Sequence, residues 1–404
     1  MMNAYRINDM SDITSVPFAR PMVGEDEIAE VTEVLKSGWL TTGPRCKQFE
    51  EDFQTFMGGE VEAIAVNSCT AGLHLALEAI GITAEDEVIV PTLTFTATAE
   101  VVRYFGATPV LVDCDPKTLC LDITAVENAI TDKTKAIMPV HYAGRACDMD
   151  ALFALTQQHD LRIIEDAAHA LPTEYNGELI GTLNSDITVF SFYANKTITT
   201  GEGGMLVTKN PALAKRCRVM RTHGIDRDAF DRFTAASEKP SWYYEIVAPG
   251  YKYNMPDMAA AVGIHQLKKA HQFQNMRKEI VDYYREHLIG LPLTMPPAED
   301  NGDTHAWHLC VIQLDLPQLN ITRNQFIEEM SHANIGTGVH YIPLHQHPYW
   351  RDTYNLNDEM FPVASALFQR MVTLPLFAGM TIAEADYVIT AIKDICHKHA
   401  KKSA

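Results

Sequence analysis

The feature that most constrains the fold is the alternation of short apolar runs with helical runs between residues 63 and 208. Alternating strands and helices form a parallel sheet with helices on both faces, so the sequence predicts an α/β fold here. The runs that read as strands are 63–66, 87–90, 110–112, 136–140, 162–164 and 187–192. The helical runs between them include 71–80, 122–130 and 149–159.

An acid and a lysine each follow one of these predicted strands. Asp166 comes two residues after the run 162–164, and Lys196 follows the run 187–192 in a turn rich in Thr and Gly. Pyridoxal 5'-phosphate needs such a pair, because a lysine amine bonds to its aldehyde and a carboxylate keeps its ring nitrogen protonated. We therefore predict that Lys196 and Asp166 are catalytic. We also expect neighbouring positive charge to lower the pKa of Lys196, so that its amine can carry a proton.

A polar turn at 67–70 separates the first predicted strand from the helical run 71–80. The backbone N–H groups and the dipole at such a helix start both favour an anion. Many strand–helix units share this pattern, so the turn is informative only beside Asp166 and Lys196. Together with these two residues, the turn is the expected site of the cofactor phosphate.

The run RIIEDAAHALPTEYNGELIGTLNSDITVFSFYANKTITTGEGGMLVT, residues 162–208, resembles the core of the DegT/DnrJ/EryC1/StrS sugar aminotransferase family. The resemblance extends over nearly the whole chain. It implies an aspartate aminotransferase-like fold, with a large domain built on a mostly parallel sheet and a smaller C-terminal α+β domain. After about residue 275 the pattern changes to long helices and short strands, at 308–314 and 338–341, so we place the domains at 1–257 and 258–404. A polar lead-in is expected at 1–20 and a loop at the site at 225–248.

The resemblance also implies contacts to the cofactor phosphate. Thr70, Ala71 and Ser191 match positions that bind the phosphate in the family. Asn254, in GYKYNMPD, matches an asparagine that reaches the phosphate of the partner chain, which implies a homodimer with shared active sites. The alternative for Ser191 is a serine of the strand that does not contact the cofactor.

Two further positions match residues that contact the cofactor ring. Phe95 matches an aromatic residue that stacks on the pyridine face, and His169 matches a residue at the phenolic oxygen or ring face. Core packing remains the alternative for Phe95, and a buried core histidine remains the alternative for His169.

The resemblance implies a ping-pong reaction in two halves. L-glutamate gives its amine to the cofactor and leaves as 2-oxoglutarate, and a carbonyl sugar then binds and receives the amine. The implied sugar carries a ketone at C4 and is linked to a nucleotide, for cell-surface polysaccharide or lipopolysaccharide biosynthesis. A sugar acid without a nucleotide, such as an oxidised octulosonate, is the alternative. A keto-sugar dehydratase is disfavoured, because those relatives carry histidine where Lys196 stands. A non-catalytic cofactor-binding regulator is disfavoured because no basic helix-turn-helix is present.

Residues expected on the sugar side come from three segments. The loop 37–44 contributes two of them, the run MRTHG two, and the run VHYIPLHQHPYW two. They are Trp39, Thr41, Arg221, His223, His340 and Tyr341. The histidines at 305, 308, 340, 345 and 347 match no established metal-ligand spacing, so we expect no metal and place them along a polar sugar site.

Charge and cysteine usage exclude several classes of partner. The formal net charge of −19 disfavours nucleic acid and anionic membranes. The eight cysteines form no C-x-x-C pair, and neither a signal sequence nor a membrane-spanning run is evident. We therefore expect free thiols and a cytoplasmic enzyme.

Overall fold

The computed structural model describes residues 13–226, 242–300 and 302–401. The predicted lead-in at 1–20 and the predicted loop at 225–248 lie partly outside the described residues. Within the described ranges, no helix is both long enough and apolar enough to cross a membrane.

The described strands are β1 (Glu62–Val66), β2 (Glu87–Pro91), β3 (Thr108–Val112), β4 (Thr134–Ile137), β5 (Arg162–Asp166), β6 (Glu174–Tyr175), β7 (Glu178–Leu179), β8 (Ile187–Ser191), β9 (Gly204–Thr208), β10 (Leu293–Thr294), β11 (Cys310–Leu314) and β12 (Met371–Leu374). Seven of these strands form the main sheet in the order β1-β9-β8-β5-β4-β2-β3. The neighbours from β8 to β3 pair in parallel, which confirms the predicted mostly parallel sheet. β9 runs antiparallel to both β1 and β8, which the alternation does not predict.

The helices of the described ranges are α1 (Glu25–Ser37), α2 (Pro44–Phe56), α3 (Cys69–Ala79), α4 (Ala97–Arg103), α5 (Ile123–Ala129), α6 (Met149–His159), α7 (Pro211–Met220), α8 (Asp257–Leu267), α9 (Ala270–His287), α10 (Arg323–His332), α11 (Pro348–Tyr354), α12 (Pro362–Phe368) and α13 (Ile382–His399). Several of them, including α2 and α3, cover the main sheet from its two sides, since successive residues of a strand point to opposite faces. On β1, Ile64 and Val66 pack with Leu73 of α3, whereas Ala63 packs with Phe49 of α2.

The C-terminal part of the chain contains a smaller antiparallel sheet, in the order β10-β11-β12. The strand predicted at 338–341 is wrong, since only Gly338 pairs there, with Thr373 of β12. The chain then leaves the sheet edge, and the hydroxyl of Tyr341 contacts His169 in the larger sheet region. The division of the chain into residues 1–257 and 258–404 stays a prediction.

Candidate active site

Two neighbouring strands bring Asp166 and Lys196 to one cavity. β5 ends at Asp166, which lies opposite Val189 of β8 in the parallel pair. Lys196 follows β8 in a short turn, where its N–H donates to the Tyr193 carbonyl at 2.9 Å. The cavity around them, here called the Lys196 cavity, has a volume of about 420 Å³. The predicted site residues that line it are Thr70, Phe95, Asp166, His169, Ser191, Lys196, His340 and Tyr341.

Asp166 is a buried carboxylate, only 5% exposed, that is held by two neutral donors. Its Oδ2 accepts a hydrogen bond from the Thr98 hydroxyl at 2.8 Å, and its Oδ1 accepts one from the Ala168 N–H at 3.1 Å. Burial raises the pKa of Asp166, while these two bonds counteract the rise. None of the ion pairs found in the described ranges includes Asp166, so its charge is available to a cationic ring nitrogen.

Lys196 is partly buried in the same cavity. Burial lowers the pKa of its amine from the ordinary 10.5 to about 8, and the negative charge of Asp166 opposes this change. The predicted direction therefore agrees with the structure, but neighbouring positive charge is the wrong cause. An amine with a pKa near 8 can both accept and release a proton near neutral pH.

The turn before α3 offers free backbone donors at the cavity wall. Ser68 caps the helix, and its Oγ accepts the Ala71 N–H at 3.1 Å. The N–H groups of Cys69 and Thr70 have no acceptor in the part of the chain that the structure describes. β9 approaches this turn so closely that a Cβ on Gly204 would lie 2.9 Å from the Cys69 nitrogen. The N–H of Thr70 is thus available to an anion, whereas the N–H of Ala71 serves the helix cap.

Phe95, His169 and Tyr341 are aromatic side chains that line the Lys196 cavity together with Asp166. Phe95 is 57% exposed, which excludes core packing, and its ring centroid lies 5.8 Å from that of Tyr341. His169 is buried, and its Nδ1 accepts the Ala143 N–H at 3.2 Å. Its Nε2 therefore carries the proton and lies 3.1 Å from the Tyr341 hydroxyl. Burial lowers the pKa of His169 well below its usual range, so the ring is neutral.

Asn254 lies outside the Lys196 cavity. With Thr41 and Lys252 it lines a second cavity of about 480 Å³, here called the Asn254 cavity. The Asn254 amide donates to the Thr42 hydroxyl at 2.5 Å and accepts from the Lys252 ammonium at 2.7 Å. These two bonds fix the orientation of the amide and leave one of its N–H groups for another partner.

Three more of the residues expected on the sugar side lie outside the Lys196 cavity. Arg221 is buried beside the Asn254 cavity, forms a salt bridge with Glu50 and donates to the Ala65 carbonyl at 2.9 Å. This pairing favours a structural role for Arg221, which also lines the Asn254 cavity, so its expected role on the sugar side stays a prediction. His223 is exposed in a turn at φ 57° and lines neither cavity described above. Trp39 is exposed, and its indole N–H donates to a carbonyl of its own loop.

The histidines of the C-terminal part are mostly buried away from Lys196. Of the five considered in the sequence, His340 lines the Lys196 cavity and His347 lines the cavity that adjoins it. The placement of these histidines along a sugar site stays a prediction. His305 stacks on Trp307 with centroids 3.8 Å apart, and Nδ1 of His345 lies 2.7 Å from the Thr92 hydroxyl. Among residues 13–226, 242–300 and 302–401, no three His, Cys, Asp or Glu side chains are grouped to hold a metal ion.

A third cavity, here called the aromatic cavity, adjoins the Lys196 cavity. Its volume is about 820 Å³, and it shares Thr94, Phe95 and Tyr341 with its neighbour. Tyr104 and Tyr349 also line it, and more than half of each side chain is exposed. Exposed aromatic surface at one cavity is typical of a binding site.

Sequence reasoning missed Thr98 and Asn195. Thr98 stands in a run with several other threonines, and no local signal separates it from them. Asn195 lines the Lys196 cavity, and its Oδ1 is buried without a hydrogen-bond partner in the described ranges. An unpaired buried oxygen in a cavity wall is expected to accept a hydrogen bond from a ligand.

The residues around the Lys196 cavity fit pyridoxal phosphate. Lys196 supplies a primary amine of lowered pKa, and Asp166 supplies a buried anion without a cation of its own. The free N–H groups at the start of α3 suit a phosphate, and the exposed face of Phe95 suits a flat ring.

Comparisons with known proteins find relatives over nearly the whole chain. A family model described as the DegT/DnrJ/EryC1/StrS aminotransferase family matches residues 21–393. The spore coat polysaccharide biosynthesis protein SpsC of Bacillus subtilis is 45% identical, over 94% of this chain and 97% of SpsC. The structure of Spr1654 from Streptococcus pneumoniae in its PMP form is similar with a TM-score of 0.88 and 35% identity, over 95% of this chain and 100% of that one. PseC of Helicobacter pylori, an aminotransferase involved in pseudoaminic acid biosynthesis, has a TM-score of 0.86 and 27% identity, over 95% and 100% of the two chains.

Proposed function

The chain belongs to the DegT/DnrJ/EryC1/StrS aminotransferase family, and from that premise we propose that it is a pyridoxal phosphate-dependent sugar aminotransferase. It takes the amine of L-glutamate, releases 2-oxoglutarate and passes the amine to a carbonyl sugar. The observation that carries this proposal is that Lys196 and Asp166 face one cavity from the ends of adjacent strands.

When bound, pyridoxal phosphate withdraws electrons from the reacting carbon and holds the amine between the two half-reactions. Lys196 carries a proton to and from that carbon, which its pKa of about 8 permits near neutral pH. Asp166 holds the ring nitrogen in its protonated form. Phe95 orients the ring by stacking, and the neutral His169 donates its Nε2 proton near the ring.

We further propose that the acceptor is a nucleotide-linked sugar with a ketone at C4. The relationship to SpsC supports a role in polysaccharide biosynthesis, and the relationship to PseC, an aminotransferase of pseudoaminic acid biosynthesis, supports an acceptor on a sugar pathway. The aromatic cavity next to the Lys196 cavity supports an extended substrate, because a nucleobase stacks well on exposed aromatic rings. A sugar acid without a nucleotide remains the alternative substrate. We place the reaction in the cytoplasm, as a step toward cell-surface polysaccharide or lipopolysaccharide.

The active unit in this proposal is a homodimer. The position of Asn254 supports it, since this residue lies at a cavity separate from Lys196 and keeps an N–H free for a partner. Thr41, Lys252 and Asn254 of one chain would then face the cofactor phosphate of the other chain.

The proposal is tested with purified protein supplied with pyridoxal phosphate. Addition of L-glutamate is expected to release 2-oxoglutarate and to convert the cofactor absorbance to that of its amine form. Nucleotide-linked 4-keto-sugars and oxidised octulosonate are then added one at a time, and an accepted sugar is recognised because the cofactor absorbance returns to that of its aldehyde form. Lys196→Ala is expected to bind cofactor without turnover, and Lys209→Ala, an exposed lysine at the far end of β9, is the control. A wild-type protein that leaves glutamate unchanged would refute the proposal.

A further inference from the structure

The carboxylate of Asp166 is the inner end of a chain of buried hydroxyl groups. Thr98 is fully buried, and its Oγ1 lies 2.8 Å from Oδ2 of Asp166. The Oγ1 of Thr94 lies 2.8 Å from the Oγ1 of Thr98. Thr94 is 2% exposed and also lines the Lys196 cavity, so the chain runs from the cavity wall to the acid.

The direction of the protons in this chain follows from the acid. An ionised carboxylate can only accept hydrogen bonds, so the single hydroxyl proton of Thr98 points to Asp166. The hydroxyl of Thr94 must then donate to Thr98, whose own proton is already used. Hydrogen bonds aligned in this way polarise one another, and each one favours negative charge on the acid.

The local fold places these groups at the start of α4. Thr98 is the second residue of α4, and Thr94 lies four positions earlier on the same side of the chain. Phe95 stands between them in the sequence and lines the Lys196 cavity, as Thr94 does. One short segment thus carries both the ring that stacks on a cofactor and the hydroxyl that reaches the acid.

We propose that Thr98, supported by Thr94, is a positioning residue that keeps Asp166 ionised and in one orientation, so that Asp166 can hold the cofactor ring nitrogen protonated. This inference rests on the proposed function. Asp166 needs donors that stabilise its charge, because burial disfavours the ionised form. Besides Thr98, the Ala168 N–H is the other neutral donor that contacts its carboxylate in the described ranges. The charged groups that act on Asp166 from other elements are Lys196 and His141, and neither forms an ion pair with it.

The test compares Thr98→Val with Thr98→Ser in the holoenzyme. Valine keeps the shape of threonine and removes the hydroxyl, whereas serine keeps the hydroxyl. Hydrogen bonds to charged groups typically change equilibria by about tenfold to about a hundredfold. We expect Thr98→Val to lower kcat of the glutamate half-reaction by that factor with a smaller change in KM, and Thr98→Ser to retain most of kcat.

A second readout is independent of turnover. With ring-15N pyridoxal phosphate, the nitrogen signal of Thr98→Val is expected to move toward the unprotonated form, because the proton shifts to a more basic Asp166. In the cofactor-free protein, the carboxyl 13C signal of Asp166 is assigned by its absence in Asp166→Asn. This signal should titrate at a higher pH in Thr98→Val than in the wild type. Thr94→Val should change both signals in the same direction and by less.

Thr188→Val is the matched control. Its buried hydroxyl donates at 2.6 Å to Glu165, the residue before Asp166, which pairs with His141. This variant loses a bond of the same kind from an adjacent carboxylate and is expected to leave the ring-nitrogen signal unchanged. An unchanged nitrogen signal and an unchanged Asp166 titration in a folded Thr98→Val protein would overturn the inference. Failure of the wild type to bind pyridoxal phosphate would instead overturn the proposed function.

Discussion

The lowered pKa of Lys196 predicts that this residue destabilises the cofactor-free protein. The pKa falls from the ordinary 10.5 to about 8, because burial disfavours the charged amine. Since each tenfold change in acidity corresponds to about 1.4 kcal/mol, this difference lowers the free energy of unfolding by about 3 kcal/mol. We therefore expect Lys196→Met, which removes the charge and keeps the chain length, to be more stable than the wild type at pH 7.

The pH dependence gives the sharper form of this prediction. Between pH 8 and 10.5 the unfolded lysine binds a proton that the folded lysine has lost, so the stability of the wild type rises with pH in that window. Below pH 8 both states are protonated and the full penalty remains. Of the 3 kcal/mol, about 2.5 kcal/mol should be regained between pH 7 and pH 10.

Urea unfolding of both cofactor-free proteins at pH 7 and pH 10 measures this effect. Taking the difference between the two proteins cancels groups that titrate equally in both. Lys209→Met, at an exposed position, is the matched control and should show no such pH-dependent difference. A stability difference between Lys196→Met and the wild type that is equal at both pH values would refute the reasoning.

Three further predictions concern other parts of the molecule. Asp166→Asn should lose several orders of magnitude in kcat, because a neutral amide cannot hold the ring nitrogen protonated; a loss within about tenfold, or about 1.4 kcal/mol, would contradict this role. Arg221→Met should lower the free energy of unfolding by about 3–5 kcal/mol, since it leaves Glu50 without its partner, while KM for the sugar stays unchanged. Mixed dimers of Asn254→Ala and Lys196→Ala chains should exceed the weak or absent activity of either variant alone. Verified heterodimers without this gain would mean that Asn254 acts within its own chain or has no role in the reaction.

Much of the site could be predicted because its main residues stand at the ends of strands. Asp166 and Lys196 follow runs that are recognisable from their apolar residues alone, and carboxyl ends of parallel strands meet at one edge of a sheet. Thr70 could be predicted for a similar reason, because it lies in the first turn of a helix that follows a strand. The strand predicted at 338–341 failed because a short run carries too little periodicity to separate a strand from an extended segment.

The roles of Arg221 and Thr98 depend on residues far away in the chain. Arg221 was expected on the sugar side, but its partner Glu50 lies 171 positions earlier. Thr98 was overlooked, although it reaches Asp166, which is 68 positions later. Ion pairs and hydrogen bonds of this kind form only after the chain has packed, so local spacing does not reveal them.

The sequence by itself determined the α/β class of the main sheet, the cofactor chemistry and the pair Lys196 and Asp166. These features follow from residue types and short periodicities that every strand and helix carries within itself. The tertiary structure alone decided the antiparallel β9, the separate cavity of Asn254 and the cause of the lowered pKa of Lys196. Each of these depends on which surfaces are buried against one another, and burial is a property of the packed chain rather than of any segment.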